Sequence, residues 1–140
     1  MMEMTRTALS LNENNRLAGL LWHQGETDAT LNASFDVHYA HLMALVQSVR
    51  NEFGVPELPF IAGDFVQHWK MDNIAVCTPV VAAIRAVCAD CGHGGFVETD
   101  GLASNLTYAN IGGDVIHFCR PAQYELGHRY YDAFIKAEQK

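Results

Sequence analysis

Apolar positions along the chain fall into short continuous runs that alternate with stretches of helical spacing. Leu17-Ala18-Gly19-Leu20-Leu21 is a run of strand length that ends in a polar cluster, the pattern of a buried strand delivering side chains to its carboxyl edge. From Ser34 onward Phe35, Tyr39, Leu42, Val46, Val49 and Phe53 step by three and four. This predicts a helix with one face on a sheet, capped by Ser34 and ended by Gly54. After Pro56 and Pro59, residues 60–63 predict a second buried strand with Asp64 at its polar exit. Thr78-Pro79 predicts the start of a helix that turns Val80, Ala83, Ile84, Val87, Cys88 and Cys91 toward the core. Residues 94–99 predict a third strand, weakened by two glycines and closed by Asp100-Gly101. A last helix starts near Pro121 and carries Tyr124, Gly127, Tyr131 and Phe134 on one side. Residues 3–11 predict a further helix with Met4, Ala8 and Leu11 on a common face, broken by the Asn-rich stretch 12–15.

Helices alternating with strands imply a parallel α/β layer with right-handed crossovers, and no repeat or linker divides the 140 residues, so one domain is expected over residues 1–140. The net charge of −7, without a basic stripe, argues against nucleic acid and anionic membrane as partners. No stretch reaches the ~20 apolar residues of a membrane helix, and the start of the chain lacks the apolar core of a signal peptide; a soluble, cytoplasmic chain is expected. Cys77, Cys88, Cys91 and Cys119 are too few and too unevenly placed for a disulfide framework and read as reduced thiols.

Candidate chemistry gathers at two places. Trp22-His23-Gln24-Gly25-Glu26-Thr27-Asp28-Ala29 is too polar to be core and follows the first strand directly. In Asp114-Val115-Ile116-His117-Phe118 an acid and a histidine three positions apart can share one face of a turn, so that the acid holds the Nδ1 proton and leaves Nε2 free to act as a base. Cys88, Cys91 and His93 have metal-like spacing, and Cys77 or Cys119 could complete a zinc site. Cys88 and Cys91 lie on the apolar helix face, however, where cysteine acts as a small hydrophobe, and no metal or other cofactor is expected. His38 and His41 fall away from the Phe35-Tyr39-Leu42 stripe and read as solvated. Trp69, with Asp64, His68 and Asp72, reads either as a sugar-binding rim or as an ordinary loop.

The run from Trp22 to Ala29 resembles the WHQGE-S/T-D-A block of sialate O-acetylesterases and acetylxylan esterases, carbohydrate esterase family six of the SGNH hydrolases. Asp100-Gly101-Leu102, then Asp114 to Phe118, then Leu126-Gly127-His128-Arg129-Tyr130 are similar to that family's closing blocks in the same order. The resemblance implies a three-layer flavodoxin-like parallel sheet and hydrolysis of an acetyl ester on a carbohydrate through a serine acyl-enzyme. It implies His117 as general base and Asp114 as its orienting acid. Gln24 is implied as oxyanion donor, with Gly25 and His23 beside it as oxyanion- and substrate-binding positions. Glu26 is implied either as an alternative partner of the histidine or as a brace of its own loop.

The chain departs from the family at the nucleophile. The family's Gly-Gln-Ser-Asn block, which follows its first strand, has no counterpart here. Ser10, Ser34, Ser48 and Ser104 each lack the exposing turn a nucleophile needs. By this resemblance the chain matches the carboxyl-terminal part of the domain, a truncated sheet without its first two strands, and is expected to be inactive alone. With sheet order two, one, three, four, five, the strand ending at Trp22 becomes an unpaired apolar edge, so a homo-oligomer joined through that edge is expected. The alternative is a non-catalytic remnant that binds carbohydrate or another subunit.

Overall fold

A computed structural model describes residues 1–107 and 113–140. In chain order the elements are α1 (Met2–Ser10), β1 (Leu20–Trp22), α2 (Glu26–Thr30), α3 (Phe35–Phe53), β2 (Phe60–Gly63), α4 (Gln67–Asp72), α5 (Ile74–Asp90), β3 (Gly94–Val97), a 3-10 turn (Asn105–Thr107) and α6 (Arg120–Glu138). The strands form a parallel sheet in the order β1, β2, β3, with Leu20 opposite Phe60 and Phe60 opposite Gly94. Among the described residues this is the parallel α/β layer that the helix and strand periodicities predict, in the three-layer form that the resemblance implies.

β2 shows why the layers form. All four of its residues are buried, and successive side chains point to opposite faces. Phe60 and Ala62 enter the cluster with Leu42 and Val46 of α3 and Val80, Ile84 and Val87 of α5. Ile61 faces the other way, toward Tyr130 and Ala137 of α6. Ser34 caps α3 by accepting from Val37 N at 3.3 Å, and Gly54 ends it. Arg50, buried on α3, donates to the carbonyls of Leu58, Cys91 and Gly92, which fixes the loops entering β2 and β3.

Several expectations are corrected. α5 starts at Ile74, one turn before Thr78-Pro79: Val76 packs against the core cluster and Cys77 is fully buried, while Pro79 lies inside the helix. Met4 of α1 and Leu11, just past its end, are exposed, and the helix meets the rest of the fold through Met2, Thr5 and an ion pair of Arg6 with Glu52 at 2.6 Å. Phe35, expected on the sheet, is exposed at the helix start and stacks on Tyr39 at 5.8 Å. The buried residues of α6 are Ala122, Tyr130 and Ala137, a face offset from the aromatic stripe; Tyr124 and Tyr131 are exposed. The 17–22 and 94–99 runs shorten to the ladders of β1 and β3, and the polar 22–29 and 64–72 stretches contain the short helices α2 and α4.

Candidate active site

The run after β1 is shaped by Gly25, whose φ of 146° a side chain rarely adopts and whose absent Cβ would lie 3.0 Å from the Phe65 ring. Only glycine permits this turn from strand into helix so close to the core. Trp22 Nε1 donates to the Gln24 carbonyl at 3.0 Å, and α2 then begins at Glu26 with Ala29 buried beneath it. Asp28, on the same short helix, meets His38 Nδ1 at 3.1 Å. His38 is therefore buried, not solvated as its helix position predicts: the carboxylate of α2 reaches over it. Burial lowers its pKa, against the opposing pull of Asp28, and Nε2 has no partner among the described residues.

The second element is held by an antiparallel bridge of Ser104 with Phe118, with Asn105 N donating to His117 O at 2.9 Å and Cys119 N to Ala103 O at 3.0 Å. Within this clasp Asp114 Oδ1 accepts from the backbone N–H of His117 at 3.0 Å and of Ile116 at 3.3 Å. Asn105 Nδ2 donates to Oδ2 at 2.8 Å. His117 Nδ1 lies 3.0 Å from Oδ1 and 3.2 Å from Oδ2. The Asn105 amide first, then the His117 backbone and ring, hold the Asp114 carboxyl down at about 2, so it is ionised and can only accept. His117 Nδ1 must therefore carry the shared proton when the ring is neutral. Nε2 keeps a lone pair on a side chain 74% exposed.

The two elements meet. The His23 ring stands edge-on to Phe118 at 5.4 Å, and its Nδ1 lies 2.8 Å from the Tyr130 hydroxyl. Tyr130 in turn donates to the Trp22 carbonyl at 2.7 Å, tying α6 to the end of β1. An open cavity of about 720 Å³ at the carboxyl end of the strands is lined by His23, Gln24, Glu26 and His117. The sequence thus places all four at one cleft, with Gly25 forming its turn and Asp114 behind His117. Glu26 lines the cleft, but the acid hydrogen-bonded to His117 is Asp114.

Other candidates land elsewhere. Asp64 is buried and accepts from Phe65 N, Gln67 and Lys70, an internal brace for α4 and no part of a sugar rim. Trp69 is 5% exposed and packs edge-on against Phe65, its remaining edge at the cleft floor. Cys88 is buried in the core cluster, where burial pushes its thiol up to about 12. Among the described residues no group of three His, Cys, Asp or Glu side chains converges as a metal site. Ser34 is a cap, Ser10 and Ser48 lie in helices, and Ser104 is buried in the bridge; none lines the cleft. Asn105 and Tyr130 are the site residues that the sequence reading did not single out for these roles. Their contacts join positions 9 and 108 apart, a separation that carries no periodic signal.

Comparison with known proteins bears on the fold and the family. No curated protein sequence matches the chain. The crystal structure of NanS superposes with a TM-score of 0.78 at 19% identity, over 96% of this chain and 51% of that one, so the fold is shared and the chain spans about half the length of that structure. The family model described as carbohydrate esterase, sialic acid-specific acetylesterase, matches residues 1–136, and the chain belongs to that family.

Proposed function

We propose that the chain forms the base-bearing half of a carbohydrate O-acetyl esterase site, with an O-acetylated sialic acid as the preferred substrate class. The observation that carries the reading is the Asp114–His117 pair opening on the same cleft as Gln24 and Glu26. Asp114 fixes the imidazole with Nδ1 protonated, and Nε2 takes the proton of an attacking hydroxyl and returns it to the departing sugar oxygen. The Gln24 amide donates to the oxyanion that develops on the acetyl carbonyl, a contribution worth about a hundredfold or more in turnover. Glu26, beside them, braces the loop or shares the histidine.

The cleft's missing nucleophile, in this proposal, comes from another polypeptide segment, so the chain alone does not turn over ester. Sustained p-nitrophenyl acetate hydrolysis by the purified chain, above a His117→Ala control, overturns that. Mixing with a nucleophile-bearing amino-terminal segment of a family member is expected to give hydrolysis that His117→Ala abolishes. The second reading, a non-catalytic binder, is favoured by the absence of serine from the cleft among the described residues. It predicts no turnover in the mixture, with calorimetric binding of O-acetylated sialic acid or acetylated xylo-oligosaccharide retained.

The unpaired edge supports self-association as part of the same proposal. Among the described residues β1 pairs only with β2; Leu21 is 60% exposed, and a groove of about 620 Å³ runs between it and Tyr131 and Phe134 of α6. A second copy laid along this edge pairs the free backbone and covers the groove. Sedimentation equilibrium at tens of micromolar is expected to show a dimer or larger species; a monomer overturns it.

A further inference from the structure

We infer that His23 is locked as the neutral Nδ1–H tautomer and presents Nε2 to the cleft as an acceptor for a carbohydrate hydroxyl. The ligand's identity rests on the esterase reading; the tautomer rests on Tyr130. The Trp22 carbonyl can only accept a hydrogen bond, so at 2.7 Å the single hydroxyl proton of Tyr130 must lie between them. Tyr130 then has only lone pairs to offer His23 Nδ1 at 2.8 Å, and the imidazole is the donor. Burial raises the Tyr130 pKa well above the ordinary phenol range, which keeps that proton in place. Desolvation of the ring also lowers the His23 pKa, against the charges of Glu26 and Asp64, which favours the neutral ring at neutral pH, with a lone pair on Nε2.

The relay has a structural signature at Gly63. A Cβ there would lie 2.6 Å from the Tyr130 hydroxyl and 3.0 Å from His23 Nδ1, so glycine makes room for the pair. Nδ1 is thereby turned in against β2. The two ring nitrogens diverge, which leaves Nε2 on the side away from β2, where His23 lines both the cleft with Gln24 and His117 and the groove along β1 with Leu21 and Tyr131. No donor reaches Nε2 among the described residues.

An acceptor so placed cannot stabilise an oxyanion, because lone pair faces lone pair. The assignment therefore separates two neighbours that the sequence resemblance groups together: Gln24 offers N–H to the reacting carbonyl, and His23 accepts O–H from the sugar. A site that must accept a hydroxyl rejects ligands lacking it, since the acceptor is otherwise left unpaired.

Long-range ¹H–¹⁵N correlation spectra of the ¹⁵N-labelled chain at neutral pH read the tautomer directly. Protonated Nδ1 with bare Nε2 is expected at His23, and Tyr130→Phe should release the ring toward the Nε2–H form; an Nε2–H tautomer in the wild type overturns the inference without touching the esterase reading. Titration with an O-acetylated sialic acid should then move the His23 Nε2 resonance, while sodium acetate leaves it in place. His23→Phe should weaken calorimetric binding of that sugar at least about tenfold with the His117 ring signals unchanged. Sugar binding with Nε2 unmoved overturns the hydroxyl contact alone. Failure of the sugar to bind at all overturns the hydroxyl contact, while the esterase reading stands or falls on hydrolysis in the mixture and its loss in His117→Ala.

Discussion

The two faces of the sheet are covered to different degrees, and the difference separates stability from chemistry. On one face Phe60 and Ala62 meet α3 and α5, and Val46, Val80, Ile84 and Val87 are all at most 1% exposed. On the other face Ile61 is sealed by α6, yet Leu21, its register partner on β1, is 60% exposed and Tyr131 of α6 is 63% exposed. Both regions carry apolar sequence. What buries one and not the other is whether an element lies opposite, and that is a property of the assembled layer, not of the local pattern.

The largest effects should follow this division. Ile84→Ala, on the closed face, is expected to cost about 2–5 kcal/mol in urea unfolding, the range for a truncated core side chain. Leu21→Ala, at concentrations where the chain is monomeric, is expected to fall within about 0.5 kcal/mol of wild type. Equal costs would mean that Leu21 is buried within the monomer and that the two faces do not differ. The association itself is tested by Tyr131→Glu, which places a charge in the groove. It should weaken self-association at least about tenfold, ~1.4 kcal/mol, in sedimentation equilibrium, while the unfolding midpoint of the monomer stays put.

The same division explains what was legible in the sequence. Helix α3, strand β2 and the core side of α5 follow from periodicity because both of their neighbours are present and the pattern is satisfied. The stripe Tyr124, Gly127, Tyr131 and Phe134 is equally regular, yet Tyr124 and Tyr131 are exposed, because periodicity reports a face that can be buried without reporting its partner. At the cleft, short-range features were legible: Asp114 and His117 are three residues apart, and the run after β1 is contiguous. Long-range contacts were not. Asn105 on Asp114, Tyr130 on Trp22 and Asp28 on His38 depend on how separate elements dock, and the last of these turned a histidine read as solvated into a buried one.

His38 sharpens the closed side of the comparison. It docks α2 on α3 through Asp28, and apart from that carboxylate the ionisable group acting on it is His41. His38→Ala should cost about 0.5–3 kcal/mol, through the lost packing and the carboxylate left without its partner. Its folded pKa is lowered, so the folded protein resists a proton that the unfolded chain accepts. Stability should therefore decline as pH falls below the unfolded value of about 6.5 toward the folded one. His38→Gln should flatten that part of the pH profile in urea titrations; an unchanged slope places the acid sensitivity on other groups.

The smallest expected effect lies at the cleft, at Asp114, and it bears most directly on the chemistry. With its carboxyl held at about 2 against an ordinary value of 3.8, Asp114 should remain mostly ionised at about pH 3, where ordinary aspartates are mostly protonated. Because the folded pKa is the lower one, the stabilisation it brings is present above the ordinary value and is lost as pH falls through the folded one. ¹³C carboxyl shifts read this without requiring activity. Asn105→Ala removes the largest cause of the depression and should move the titration upward, with little change in the unfolding midpoint, since His117 is 74% exposed and the pair is open to solvent. If Asp114 titrates as an ordinary carboxylate in the wild type, the Asn105–Asp114–His117 geometry is not formed in solution. The imidazole then lacks the acid that sets its tautomer, and His117 has no better claim to be the base than any exposed histidine.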